Sequence, residues 1–416
     1  MAGIYWLNLL IGTVFTLCTV YQIFYMAVPF LFKEKPHKEE KKHRITVLIA
    51  ARNEEAVLGQ LLQSLREQDY PSELLTVCVA ADNCTDATAR IAREAGAVVA
   101  ERFDQKHIGK GYVLDFLLSH LKECGIANRT DAYLVLDADN VLERDYVTQM
   151  NRSFCDGYEV VTGYRNSKNF ADNWISAGYA MWFLRESQFI NRSRFRLGTN
   201  CIVMGTGFLF SRAVAEEMNG WHYYSMTEDT DFSMDRIVRG KKIGYCEKAV
   251  LYDEQPTGFR QSWRQRLRWT RGSFQMFAKY GGRLLCGVFR GSWSCYDALA
   301  ANLVAFIASM AGAVVNLVNS LLRIACGDSL FPVFNSILVS TALSYVGLFL
   351  MGAFTVFCEW KRIHASPLAK ILYLFTYPIY IFTNLPIALC GLFCKVSWKP
   401  IHHSRAMSLK DIEGKK

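Results

Sequence analysis

The sequence predicts an α/β domain with a largely parallel sheet, held between membrane-spanning helices. Three observations carry that expectation. Strand-like and helix-like segments alternate from Ile45 onward, apolar blocks flank them at both ends, and short polar clusters follow the strands.

The apolar blocks come first, because about 20 apolar residues in a helix cross the hydrocarbon core of a bilayer. Met1 to Phe32 holds no charged residue. It lacks the basic leader and small-residue cleavage site of a secretory signal, so 1–32 is expected to be an uncleaved transmembrane helix. A basic linker over 33–44, a cytosolic domain over 45–255 and interfacial helices over 256–297 should follow. Three membrane segments are expected within 298–394, and a basic cytosolic tail over 395–416. Lys33 to Arg44, with Lys361 and Arg362, asks for the cytosolic side. Lys395, Lys399 and Arg405 ask the same of the tail, which one straight crossing from Pro367 to Phe393 would forbid. Pro378 and Pro386 are therefore expected to split that segment into a re-entrant or hairpin pair. A multi-pass plasma-membrane protein is the resulting picture.

The central region of about 260 residues is long enough for one large domain. Thirteen cysteines lie scattered, without a C-x-x-C pair or histidines at zinc spacing, so they read as reduced thiols and a structural metal is not expected. The net charge of +9 raises nucleic acid as a partner, but the basic residues gather beside the membrane segments and near Arg268. Membrane lipids and a diphosphate ligand account for them, and no nucleic acid partner is expected.

Ile45 to Ala51 is a continuous apolar run, as in a strand buried on both faces, and Val57 to Leu65 follows with helical spacing. Leu75 to Ala81 reads as a strand, Asp82 to Asp86 as a turn, Thr88 to Ala95 as a helix and Val98 to Ala100 as a third strand. Gly109-Lys110-Gly111 opens the helix Tyr112 to Leu121, and Ala132 to Leu136 is a strand ending at Asp137-Ala138-Asp139. Ligands of such sheets sit at the carboxyl ends of the strands, where these polar clusters fall.

Asp137 and Asp139 can grip Mg²⁺ or Mn²⁺ and leave coordination sites for substrate phosphates. No Walker loop and no G-x-G-x-x-G is present, which argues against an ATPase or a nicotinamide enzyme. Asp229 is the expected general base, with Glu228 and Asp231 near enough in sequence to raise its pKa; Thr227 before them could also cap a helix. Phe259 to Trp269 is basic and aromatic. Arg268 could pair with a diphosphate leaving group, Trp269 could carry an acceptor sugar, and the stretch also reads as an interfacial amphipathic helix.

Taken together, Ala51-Arg52-Asn53-Glu54, Asp82, Lys110, Asp137 with Asp139, Gly205-Thr206-Gly207, Thr227-Glu228-Asp229, and Gln265 with Arg268 and Trp269 resemble the motif series of membrane-integrated family 2 glycosyltransferases. That group includes cellulose, hyaluronan and poly-N-acetylglucosamine synthases, and the resemblance runs over almost the whole chain. It implies a GT-A (Rossmann-like) domain binding a uridine diphosphate sugar through Ala51, Glu54, Asp82, Lys110, Asp137 and Arg268. The ion would sit on Asp139, with Asp137 beside it or the ribose. The acceptor would meet Gly205, Thr206, Gly207, Glu228, Gln265 and Trp269. An inverting, processive synthase using UDP-N-acetylglucosamine is the leading expectation, with an accessory subunit left open. The runner-up is a non-processive lipid glycosyltransferase. The lack of a cyclic-dinucleotide receptor domain after the last membrane block argues against cellulose.

Overall fold

The computed structural model describes residues 2–33, 37–38, 40–300, 304–327, 329–394, 396, 401 and 403–414. Helices α1 (Ala2–Thr19) and α2 (Tyr21–Leu31) precede the sheet. The first half of the domain alternates β1 (Ile45–Ala51), α3 (Leu58–Arg66), β2 (Leu75–Asp82), α4 (Thr88–Glu94), β3 (Val98–Arg102), α5 (Lys110–Glu123) and β4 (Ala132–Asp137). The second half has β5 (Val141–Leu142), α6 (Tyr146–Cys155), β6 (Val160–Ser167), α7 (Trp174–Arg185), a wide π turn (Glu186–Asn191) and α8 (Arg192–Arg196). It ends with β7 (Phe208–Ser211), α9 (Arg212–Met218), α10 (Glu228–Val238) and β8 (Ile243–Asp253). Next come α11 (Phe259–Phe289), α12 (Trp293–Leu299), α13 (Ala305–Ala325), α14 (Leu330–Cys358), α15 (Pro367–Phe382), α16 (Asn384–Phe393) and α17 (Leu409–Glu413).

The strands form one sheet in the order β3-β2-β1-β4-β7-β6-β8-β5. β1 lies between β2 and β4 and parallel to both, so the chain leaves it in opposite directions across the sheet. That reversal opens a crevice at the carboxyl ends of β1 and β4. Val47, Ile49 and Ala51 face one apolar core with α3 and α6, while Leu48 faces the other with α5 and α7. Burial on both faces is why β1 is apolar without alternation.

The expected parallel pairing holds from β3 through β2 and β1 to β4 and again between β6 and β8, and it breaks at β7 and β5. β7 runs antiparallel to both β4 and β6, and β5 antiparallel to β8. A parallel return would need a crossover to the far edge of the sheet. Here α7, the π turn and α8 leave and re-enter at the carboxyl end of β6, directly over the crevice.

Four helical stretches are long and apolar enough to cross a membrane: Trp6–Leu31, Ile307–Ala325, Ile337–Cys358 and Pro367–Phe393. In the first three, 6–11% of the most apolar window is buried; in the fourth it is 33%. The fourth stretch does not form the expected hairpin: Thr383 between α15 and α16 keeps right-handed helical angles, so the chain bends without reversing. Tyr373 donates to the Ala171 carbonyl, the Tyr380 ring lies over Gly178, and Gly391 abuts Thr270, so both α15 and α16 contact the α/β domain and α11. Lys395 and Lys399 lie outside the described residues.

All thirteen cysteines are free thiols, as the sequence pattern suggests.

Candidate active site

The turn after β1 starts the site. Asn53 adopts φ 56°, and its side-chain oxygen accepts the Thr85 N–H at 2.8 Å, while the Glu54 N–H donates to Thr88 Oγ1 at 2.8 Å. This pins the Ala51–Glu54 turn to the turn after β2 and aims Glu54 into the crevice. Asp82, 2% exposed, accepts from Arg102 at 2.6 Å and from Asn83, with Arg52 at 3.9 Å. It lines the cavity as the back of this wall.

Lys110 reads in the sequence as a site residue or a solvated helix start, and the geometry decides for the site. Its ammonium donates to Asp137 at 2.5 Å and to the Gly205 carbonyl at 2.8 Å. Burial pulls its pKa down, but Asp137, Glu228 and Asp229 outweigh that and hold it above the usual lysine value. Asp139 is 4% exposed and accepts the Glu254 N–H at 2.8 Å. Burial raises its pKa, yet the charges of His403, Lys168 and Arg165 bring it below the ordinary value.

The three residues 205–207 do different jobs, which corrects their common assignment to the acceptor. Gly205 lines the cavity at φ +82°, and a Cβ there would point toward Arg165 and Asp229. Thr206 is buried: its hydroxyl donates to Asn140 at 2.5 Å and accepts the Asp137 N–H at 2.9 Å. It positions the Asp137 turn from behind. At Gly207, φ +66°, a Cβ would stand 2.0 Å from a Leu251 methyl, so that glycine serves packing.

Glu228 and Asp229 occupy the first turn of α10, facing the cavity. Thr227 precedes them without a side-chain capping bond, so the capping reading fails. Burial raises the pKa of Asp229, opposed by the Thr230 N–H and by Lys110 and Arg268. Glu228 is raised by burial and by the Asp229 charge beside it. Trp269 stands edge-on to Tyr179 and Phe183, with ring centroids 5.7 and 6.1 Å away. Gln265, Arg268 and Trp269 line the cavity, whereas Arg266 turns away and bonds the Tyr380 carbonyl and Thr383. All these lining groups share one cavity of about 520 Å³.

The model of the family "Glycosyltransferase like family 2" matches residues 43–272, more than half of the chain. This chain belongs to glycosyltransferase family 2. A beta-monoglucosyldiacylglycerol synthase of Synechocystis sp. is 24% identical over 247 residues, covering 57% of this chain and 49% of the relative. A poly-beta-1,6-N-acetyl-D-glucosamine synthase of Staphylococcus aureus is 23% identical over 273 residues, covering 63% and 62%. The chain spans about half the length of the first curated relatives it matches. Among solved structures, a mannosyltransferase from Pyrobaculum calidifontis, in complex with GDP-mannose and Mn²⁺, superposes with a TM-score of 0.59 at 16% identity. The match covers 93% of this chain and 99% of the other, and it establishes the GT-A fold.

Several groups of the glycosyltransferase site escaped the sequence reading. Arg165, on β6, is ion-paired to Asp253, donates to the Met204 carbonyl at 2.7 Å and lies 3.6 Å over the Phe183 ring. Lys168 is 1% exposed, and its ammonium has no hydrogen-bond partner among the described residues. His403, from the tail, bonds Glu54 at 3.0 Å, and the backbone amides of Ser404 and Arg405 bond Glu254. Burial lowers the His403 pKa, but Asp139, Glu54 and Glu254 push it up to about 10. Asp253 and Glu254 at the end of β8 carried the one available signal, an acidic pair closing an apolar strand. Nothing in the sequence places His403 there.

Among the described residues no cluster of three or more His, Cys, Asp or Glu side chains forms a metal cage. Asp137 and Asp139 supply oxygen donors only. That donor set fits a hard divalent cation whose other ligands are water and a substrate diphosphate.

Proposed function

We propose that this glycosyltransferase is an inverting enzyme that moves one hexose from a uridine diphosphate sugar to a hydroxyl of a membrane-held acceptor. The observation that carries the reading is a single cavity joining the Asp137–Asp139 turn, the Glu228–Asp229 pair and Gln22 on membrane helix α2. Asp229 takes the acceptor proton as that oxygen attacks the anomeric carbon, and its burial favours the proton transfer. Lys110 and Arg268 stand where a leaving diphosphate gathers charge. A divalent cation on Asp139 and Asp137 would neutralise part of that diphosphate. Uridine as the base rests on the motif resemblance. The basic flanks support a cytosolic active site at the plasma membrane.

Single transfer is favoured over polymer synthesis because α13 packs chiefly along α1, and α14 chiefly along α15. Pairs of this kind anchor the domain and need no polymer path between them. The staphylococcal relative, of similar identity, keeps polymer synthesis as the second reading. Purified full-length protein in lipid nanodiscs, given UDP-glucose, UDP-N-acetylglucosamine and GDP-mannose in parallel, tests both. One mono-glycosylated lipid is the expected product, and a ladder of long glycans would overturn single transfer.

A further inference from the structure

We propose that the end of the cavity between α2, α7 and the π turn is an acceptor subsite for an uncharged sugar or polyol headgroup of a membrane lipid, not for a lipid phosphate. This rests on the transferase reading and names its acceptor class.

Contacts trace the subsite outward from the reacting groups. Gly205 adjoins Asp229 and Arg165, Arg165 lies on Phe183, and Phe183 leads along α7 to Arg185 and Glu186. Arg185 donates to Gln22 at 2.5 Å, on a helix within the span Trp6–Leu31. The path from catalytic carboxylates to membrane is thus continuous. Its outer wall includes the π turn, a geometry that recurs at functional sites because it re-aims side chains within a helix.

Charge decides the ligand class. Arg185 pairs with Glu186 at 2.7 Å, Arg194 grips Asp297 through two bonds of 2.8 and 2.9 Å, and Arg165 is paired to Asp253. Every arginine at this end already faces a carboxylate. A phosphate arriving here would have to displace one of those carboxylates, leaving a partly buried charge without compensation. At the donor end Lys110 is likewise paired, with Asp137, but Arg268 makes no ion pair among the described residues and is left for a diphosphate.

What the outer end offers instead matches hydroxyl groups. The Nε–H of Arg185 and the side-chain oxygen of Gln265 are buried and lack hydrogen-bond partners among the described residues, giving one donor and one acceptor. Hydroxyl groups both donate and accept, so those of a polyol suit either group. Trp182 and Trp269 add apolar ring surface for the C–H face of a sugar.

The test uses full-length protein in nanodiscs doped with equal mole fractions of diacylglycerol, monohexosyl-diacylglycerol or undecaprenyl phosphate, reading UDP release and lipid product by mass spectrometry. Monohexosyl-diacylglycerol should be glycosylated and undecaprenyl phosphate should not. Trp182→Ala should raise the glycolipid KM about tenfold with a smaller change in kcat, and Trp182→Phe should restore most of it. Glu186→Gln, which frees Arg185, should make undecaprenyl phosphate a competitive inhibitor. Preferred glycosylation of undecaprenyl phosphate by the wild type would keep the transferase reading and overturn this subsite, as would an unchanged KM in a folded Trp182→Ala protein. No UDP release with any donor and lipid would overturn both.

Discussion

The proposed donor end of the cavity is built on strand termini, and the proposed acceptor end on helices. At the donor end β1, β2, β4 and β8 deliver Glu54, Asp82, Asp137, Asp139 and Glu254 within a few residues of their last ladder bonds. Backbone pairing fixes those positions, so a short motif suffices. At the acceptor end α2, α7, the π turn and α11 meet from distant parts of the chain, and side-chain contacts such as Arg185 to Gln22 at 2.5 Å join them. Both ends hold internal ion pairs, Lys110 with Asp137 and Arg185 with Glu186, while Arg268 at the donor end makes none among the described residues.

Removing the base tests the point where the two ends meet. Asp229→Asn should lower kcat by about 10²–10⁴ with little change in donor KM, read from steady-state UDP release. Near-normal turnover would transfer the role to Glu228. Asp139→Ala, or excess chelator on the wild type, should cost on the order of 10³-fold in activity while Tm stays near wild type. Full activity in chelator would remove the ion from the donor end.

The acceptor end should answer in stability. Asp297 takes two bonds from Arg194 and one each from Tyr21 and Tyr25. Asp297→Ala leaves a buried arginine unpaired and should destabilise by about 3–5 kcal/mol in thermal unfolding. The exposed pair Arg90–Glu94 gives the contrast, and Arg90→Ala should cost less than about 0.5 kcal/mol.

Two smaller effects sharpen the donor side. Asp229 works deprotonated and its pKa is raised, so activity should fall on acidification at a pH above the ordinary carboxylate range. The charges of Glu228 and Asp229 oppose each other, so Glu228→Gln should move that acid limb to lower pH. An unmoved limb would uncouple the pair. Removal of the tail contact by His403→Ala should raise donor KM by about three- to tenfold and leave the acceptor KM alone. An acceptor effect of equal size would break the division between the two ends.

Much of this was legible in the sequence, and unequally so. The β1 run and the turns after β1, β2 and β4 are local features: hydrophobic pattern fixes the strand, and the strand fixes the site residues that follow it. Asp137 and Asp139 sit in the site for that reason, while Lys110 at the start of α5 and Glu228 with Asp229 at the start of α10 join them from helix starts. Gly205-Thr206-Gly207 reads as a unit, but the three form a bend before β7 with both glycines at positive φ, so Gly205 reaches the cavity while Thr206 bonds Asn140 and Gly207 packs on Leu251. Apolarity marked Pro367–Phe393 as membrane sequence, but its contacts with the α/β domain and α11 join distant parts of the chain, and no local pattern encodes them.

The sequence by itself determined the family, the strand-end carboxylates of the donor end and the membrane character of both flanks, since each depends on neighbours along the chain. Only the tertiary structure decided that β7 runs antiparallel, which sets α7 and the π turn over the crevice. It alone brought Gln22 to Arg185 and His403 to Glu54, contacts 163 and 349 residues apart. Contacts at such separation follow from how helices pack across the whole domain, and no local pattern of residues encodes them.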